Sequence, residues 1–429
     1  MQPDNLHNET RLIRTSGGIV AAGLAALLAN GLPAVAQTGV TFSVDFQGPT
    51  GGLKGPFTGV PDSFTGVGID EGSILTAFVP GPPGPNPASP GPLPPPGMMT
   101  SAVLSGAGTA PGGLGIVPGL LSAVEVDALS YGRDNGPQLA FSVDEFALGI
   151  PGAPAFPNVT SEGAGGSMEA SADVYTYLGP AAPTAPGPVI GNKGRIDGNG
   201  AGPFGGPGLG LREPNPPAFG QPFDQGDNLD AVDLDTAINS VKGPVFFSMD
   251  SDFVDPLEGF PANSGTALGN GFVGGDVVVT PAVGSGVLGV YAPAAVLGLD
   301  KFGFDTDDLD ALILRDDGAV NAVGMPFFDP ASDFLLFSVR RGSAVIGTPD
   351  SLLGLPIEEG DVLTAPIAGV AVPGIFIPAE RMGLMTSRSF GARGDELDAM
   401  DLVIPEPASA ALIGIGSLLV MTRRKTATN

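Results

Sequence analysis

The chain has 429 residues, 42% of them hydrophobic, with 68 Gly, 45 Pro, no Cys, no Trp and a formal net charge of −27. That charge repels phosphate backbones and excludes nucleic-acid binding, and the missing thiols exclude disulfides, thiolate metal sites and cysteine nucleophiles. Gly and Pro at this level signal disorder in a polar chain, but here they punctuate short apolar runs such as Val277 to Val279 and Phe334 to Phe337, the pattern of short strands joined by turns.

Residues 1–36 read as a signal peptide for export. Arg11 and Arg14 lie in a polar start, an apolar stretch runs from Gly17 to Leu32, and Ala34-Val35-Ala36 precedes Gln37. Small residues at the first and third positions of that triplet are what signal peptidase accepts, so cleavage after Ala36 is expected. The region 37–404 follows as one repeat-built β domain and opens with a lone strand, Thr41-Phe42-Ser43-Val44-Asp45. Gly59 to Ala77 then aligns without gaps on Gly347 to Ala365, with 11 of 19 positions identical. Similarity of that kind marks internal repetition.

The repeat is clearest in an Asp-Ala pair between apolar residues, at Asp127, Asp230, Asp310 and Asp398. Downstream of the first three copies comes an apolar strand ending in Phe-Ser: Phe141-Ser142, Phe247-Ser248 and Phe337-Ser338. The fourth copy lacks that strand, which stands instead near the start of the chain as Phe42-Ser43. A third element carries Asp173, Asp276 and Asp361, and a fourth is read from Pro293-Ala294 and Gly298-Leu299, which match Pro378-Ala379 and Gly383-Leu384. Four units of about four strands, with one strand supplied from the opposite end, predict an all-β, four-bladed β-propeller closed by the N-terminal strand. A repeat-built sandwich or an open solenoid satisfies the same repeat. Helices are expected only in the signal peptide and in the C-terminal tail. Pro/Gly-rich segments 80–97 and 180–222 are expected as surface loops, because Pro at this density cannot form ladders.

Chemistry is conspicuous mainly by exclusion. The single His is His7, inside the signal peptide, which removes imidazole acid–base work, Ser-His-Asp triads and His-ligated zinc. Only four Tyr accompany the missing Trp, leaving little aromatic surface for stacking sugars. Clustered aspartates remain: Asp305, Asp307, Asp308 and Asp310 in one group, Asp224, Asp227, Asp230, Asp233 and Asp235 in another, and Asp250, Asp252 and Asp255 in a third. Their oxygens suit two uses. One is Ca²⁺ binding, with Asp305, Asp307 and Asp308 as the candidate ligands; the other is accepting backbone N–H bonds in turns, the role expected of the recurring Asp127, Asp230, Asp310 and Asp398, with calcium as their alternative.

The last 25 residues, 405–429, repeat the logic of the first 36. Pro405-Glu406-Pro407 precedes an apolar run from Ala408 to Met421, and Arg423-Arg424-Lys425 follows. The run reads as a short transmembrane helix with its basic end on the cytoplasmic side. This tail resembles the PEP-CTERM sorting signal of Gram-negative bacteria that make exopolysaccharide. The resemblance implies processing near Pro405 to Pro407 by an exosortase-type enzyme, transient anchoring in the inner membrane, and then a place at the cell surface or outside the cell. A non-catalytic structural, adhesive or exopolysaccharide-associated role is expected. The alternative is an extracellular carboxylate-dependent, glycosidase-like hydrolase. A hydrolase requires acids gathered with an Arg at one mouth of the ring, whereas a scaffold requires equivalent acids spread over every blade.

Overall fold

A computed structural model describes residues 265–366, 372–390 and 394–401 continuously, with shorter stretches between 40 and 249 that hold the remaining strands. The expected signal peptide, the sorting tail with its transmembrane helix, and loop 80–97 lie outside the described residues. Four antiparallel sheets of four strands make up the fold. Blade I is built, from the axis outward, of Leu397–Asp401, Thr41–Val44, Ile74–Ala77 and Thr100–Leu104. Blade II comprises Ala128–Ser130, Ala140–Ser142, Val174–Tyr177 and Asn192–Ile196. Blade III comprises Ala231–Leu234, Val245–Ser248, Val277–Thr280 and Gly289–Ala292. Blade IV comprises Leu309–Arg315, Phe334–Val339, Val362–Thr364 and Gly374–Ile377. A further two-strand ladder pairs Ile116–Val117 with Leu148–Gly149.

The inner strands pack on one another in the order I, II, III, IV and back to I, so the sheets form a four-bladed β-propeller. Across the axis the inner strands of blades II and IV bring Cα atoms within 8 Å. Blade I is composite, as the shifted repeat predicts. Thr41 pairs with Asp401 and Phe42 with Met400, while on the other side Thr41 pairs with Thr76. All inner strands run the same way along the axis. The repeat aspartates therefore share one end of the ring, which we call the aspartate end. Thr41, Asp401 and the hairpin links 281–288 and 316–333 share the other, the terminal end.

A blade has a neighbour on each face, so its strands bury both sides rather than alternating apolar with polar. Within the Phe-Ser pair the period of two sends successive side chains to opposite faces. Phe141 packs toward blade I, Phe247 toward blade II and Phe337 toward blade III, each against the preceding blade. The serines point the other way, toward the following blade.

Two expectations need correction. Short helices occur within the core, among them Gly265–Asn270, Ala294–Leu297 and Ala379–Met382. The matching Pro-Ala and Gly-Leu pairs, read as a fourth strand, are the two ends of the latter two helices, and the fourth strand precedes them. Pro293 and Pro378 occupy the N-cap, and Gly298 and Gly383 close the turn at φ 88° and 87°, a left-handed conformation that glycine adopts without a Cβ penalty. Segment 180–222 is also not one loop, since Asn192–Ile196 forms the outer strand of blade II and Leu209 and Leu211 are buried beyond it.

Phe42 is fully buried on the strand that completes blade I. Phe42→Ala is expected to destabilise the protein by about 3 to 5 kcal/mol, read as a lowered midpoint in equilibrium urea unfolding. An unchanged midpoint would count against closure by this strand.

Candidate functional site

The recurring polar residues fasten one blade to the next. Each Phe-Ser serine donates its hydroxyl to the carbonyl immediately before the repeat aspartate of the following blade. Ser43 bonds Val126 O at 2.7 Å, Ser142 bonds Leu229 O at 3.0 Å, Ser248 bonds Leu309 O at 2.8 Å and Ser338 bonds Leu397 O at 2.9 Å. The four bonds run I to II, II to III, III to IV and IV to I, and all four serines are fully buried. A second clasp comes from the side chain three residues after the repeat aspartate, which accepts an N–H in or just after the inner strand of the next blade. Asp401 accepts from Tyr131 N (2.5 Å), Ser130 from Leu234 N (3.2 Å) and Asp233 from Leu314 N (2.5 Å). At the fourth seam the equivalent residue is Ile313, which has no acceptor. There Arg341 and Glu396 join blade IV to blade I through a buried ion pair of 2.9 Å.

Asp127, Asp230, Asp310 and Asp398 are all buried at equivalent places, one per blade, at the aspartate end. Three residues before three of them stands another recurring aspartate: Asp227 and Asp307, which belong to the clusters noted above, and Asp395, which belongs to none of them. Asp227 accepts from Arg212 N (2.6 Å) and Thr266 N (2.9 Å). Asp307 accepts from Asp300 N (2.6 Å) and Val345 N (2.7 Å), and Asp395 from Met385 N (2.7 Å). In Asp227 and Asp307 one oxygen holds the loop entering the inner strand and the other holds a segment beyond the second strand. The spelling Asp-x-Leu-Asp-Ala at 227–231, 307–311 and 395–399 carried that signal.

The candidate calcium ligands accept backbone N–H groups. Asp307 holds the two N–H groups just named, Asp305 accepts from Gly274 N at 3.0 Å, and Asp308 accepts from Leu309 N at 3.1 Å with Arg340 at 3.8 Å. Among the described residues, carboxylate oxygens converge within 4.8 Å of one another at Asp316, Asp317 and Asp333. This group forms the base of hairpin 316–333 at the terminal end, and Tyr291 donates its hydroxyl to Asp333 (2.9 Å) and Asp316 (3.3 Å). Three carboxylates suit a hard cation by ligand type. Asp333 is already engaged, accepting from Asp317 N at 2.9 Å and Asp329 N at 2.7 Å. The sequence did not reveal this group because Asp333 meets the other two only once the hairpin forms.

Among the described residues, a dense charge network lies at the aspartate end of blade IV. Asp361 accepts from Ala379 N (2.9 Å) and Glu358 N (3.0 Å), as Asp276 does from Ala294 N (2.8 Å) and Val273 N (3.2 Å) in blade III. Each thereby fixes the start of the one-turn helix that follows its sheet. In blade IV, Arg388 adds a bidentate pair to Asp361 (2.5 and 2.6 Å) and a second to Glu380 (2.9 and 3.1 Å). Burial pushes the Asp361 carboxyl up to about 6, against the downward pull of Arg388 and the two N–H bonds. Glu380 is half-buried, yet Arg388 and Thr386 hold it below its ordinary value.

No family model, curated protein or solved structure matches this chain. Among the described residues no helix is long and apolar enough to cross a membrane.

Removing one serine hydroxyl leaves a buried carbonyl without its donor. Ser142→Ala, Ser248→Ala and Ser338→Ala are each expected to lower stability by about 1 to 2 kcal/mol in urea unfolding, with similar values because the three sites are equivalent. Asp361 titrates near 3.8 when unfolded and near 6 when folded, so its ionisation costs stability as pH rises through that window. Relative to Asp361→Asn, the wild type is expected to lose stability between about pH 4 and pH 6. A difference that stays flat across that range would contradict the raised value.

Proposed function

We propose that this chain is an exported, acidic, non-catalytic scaffold, sorted through its C-terminal tail to the cell surface or extracellular matrix, where it serves a structural, adhesive or exopolysaccharide-associated role. The observation that carries the reading is the pair of address-like segments, Ala34-Val35-Ala36 at one end and Pro405-Glu406-Pro407 with Arg423-Arg424-Lys425 at the other. Its partners on this reading are signal peptidase and an exosortase-type enzyme. Support for a scaffold comes from how the acids are used. Asp227, Asp307, Asp276, Asp233 and Asp401 spend their oxygens on backbone N–H groups, and the four repeat aspartates are distributed one to a blade.

A carboxylate-dependent hydrolase has one observation in its favour, the gathering of Asp361, Glu380 and Glu358 around Arg388 with two carboxyls shifted in opposite directions. Such opposed shifts mark acid–base pairs in some active sites. Here Asp361 is fully buried, and its blade III counterpart Asp276 fixes the same helix without an arginine, so the network serves the fold.

Expression in an exopolysaccharide-making Gram-negative host with an exosortase tests the reading. The mature protein is expected to begin at Gln37 and to have lost the tail near Pro405 to Pro407, by N-terminal sequencing and intact-mass measurement. Glu406→Ala, or deletion of 423–425, is expected to leave an unprocessed precursor in the membrane fraction. Released protein that still carries residues 408–429 would overturn the sorting assignment.

A further inference from the structure

We propose that the terminal end of the ring docks on a lipid bilayer through hairpin 316–333 of blade IV, with Val323 at its apex. The inference rests on the reading above that the run Ala408 to Met421 enters a membrane. The hairpin tip is ordered. Asn321 N donates to Met325 O (2.8 Å), Gly324 N donates to Asn321 O (2.9 Å), and Asn321 Oδ1 accepts from Val323 N (3.0 Å) and Met325 N (3.1 Å). Val320 bridges Pro326 below the turn, and Met325 packs on the core in the space that Gly289 leaves by lacking a side chain. On this held turn Val323 is 82% exposed and Val320 57%, with Val287 of the adjoining link 281–288 at 47%. Apolar side chains presented by a preorganised turn lose little conformational freedom on docking, and their exposure has no role in packing the ring.

What covers them follows from where the chain ends emerge. Thr41 and Asp401 pair at this same end, and only six residues separate Asp401 from Ala408, at most about 25 Å of extended chain. Once the apolar run is in a membrane, this end of the ring stays beside it. Docking is then intramolecular, at an effective concentration on the order of millimolar, so a few valines suffice where a free protein would need a large patch. Asp316, Asp317, Asp329 and Asp333 around the base of the hairpin set the lipid class. They repel anionic headgroups, so the surface suits zwitterionic lipid. The opposite end supplies its own comparison: Phe302 and Phe304, 59% and 80% exposed, stand on the loop leading into the inner strand of blade IV, at the aspartate end and away from the anchor.

Because the chain contains no Trp, a single Trp reports its own surroundings. The full chain carrying Val323→Trp is reconstituted with phosphatidylcholine vesicles, with and without brominated acyl chains, beside the same chain carrying Phe304→Trp. The emission of the Val323→Trp chain is expected to shift to the blue and to fall roughly twofold with brominated lipid, as for Trp at a membrane interface, while that of the Phe304→Trp chain stays unchanged. Adding phosphatidylglycerol is expected to weaken the shift. If the chain floats with vesicles and the Val323→Trp signal does not respond, the docking proposal is overturned and the anchoring reading stands. If the chain does not float at all, the anchoring reading fails and the proposal falls with it. A blue shift that follows protein concentration without lipid would assign the hairpin to self-association and overturn bilayer docking.

Discussion

A four-stranded sheet on its own exposes two edges of unpaired N–H and C=O groups, and four such sheets arranged around an axis turn one edge of each inward, where the opposing strands leave little space for water. Satisfying those inward edges is the constraint on which the rest of the structure depends. The chain meets it with side chains. A serine hydroxyl from each blade covers a carbonyl of the next, and at three seams an aspartate or serine covers an N–H. The seam with Ile313 in place of that acceptor is the one bridged by Arg341 and Glu396.

This arrangement gives the buried aspartates a structural use. A carboxylate is acceptor-only and offers two oxygens, so one aspartate can hold two backbone segments at once, as Asp307 does with Asp300 N and Val345 N. A buried carboxylate that accepts two N–H groups offsets part of its desolvation, and burial still raises Asp227, Asp276 and Asp307 above their ordinary range. A chain with many turns and few helices has many such N–H groups to satisfy. Aspartate at each repeated turn is a local answer that can be copied with the unit.

How much of this was legible in the sequence depends on whether the signal repeated. The blade count and the composite blade followed from the Asp-Ala and Phe-Ser pairs, because a residue fixed by its place between two blades recurs wherever that place recurs. The direction of the Phe-Ser pair, Phe backward and Ser forward, needed the ring, since a strand alone does not say which neighbour lies on which face. The helices Ala294–Leu297 and Ala379–Met382 were missed because a single turn is too short to show a 3.6-residue period. Asp316, Asp317 and Asp333 were missed because Asp333 meets the other two only across hairpin 316–333. Arg388 gave no signal either, having no counterpart in blade III.

The composite blade also constrains when the molecule can fold. Thr41 and Asp401 lie 360 residues apart, and the inner strand of blade I is the last one made. Contacts of such long sequence separation form slowly, after the loop-closure entropy of nearly the whole chain has been overcome. Blades II, III and IV can assemble from neighbouring segments as they appear, but the ring has no closing partner for Thr41–Val44 until residue 401 has left the ribosome. Until then the polypeptide stays an open array of sheets that could still be drawn apart strand by strand.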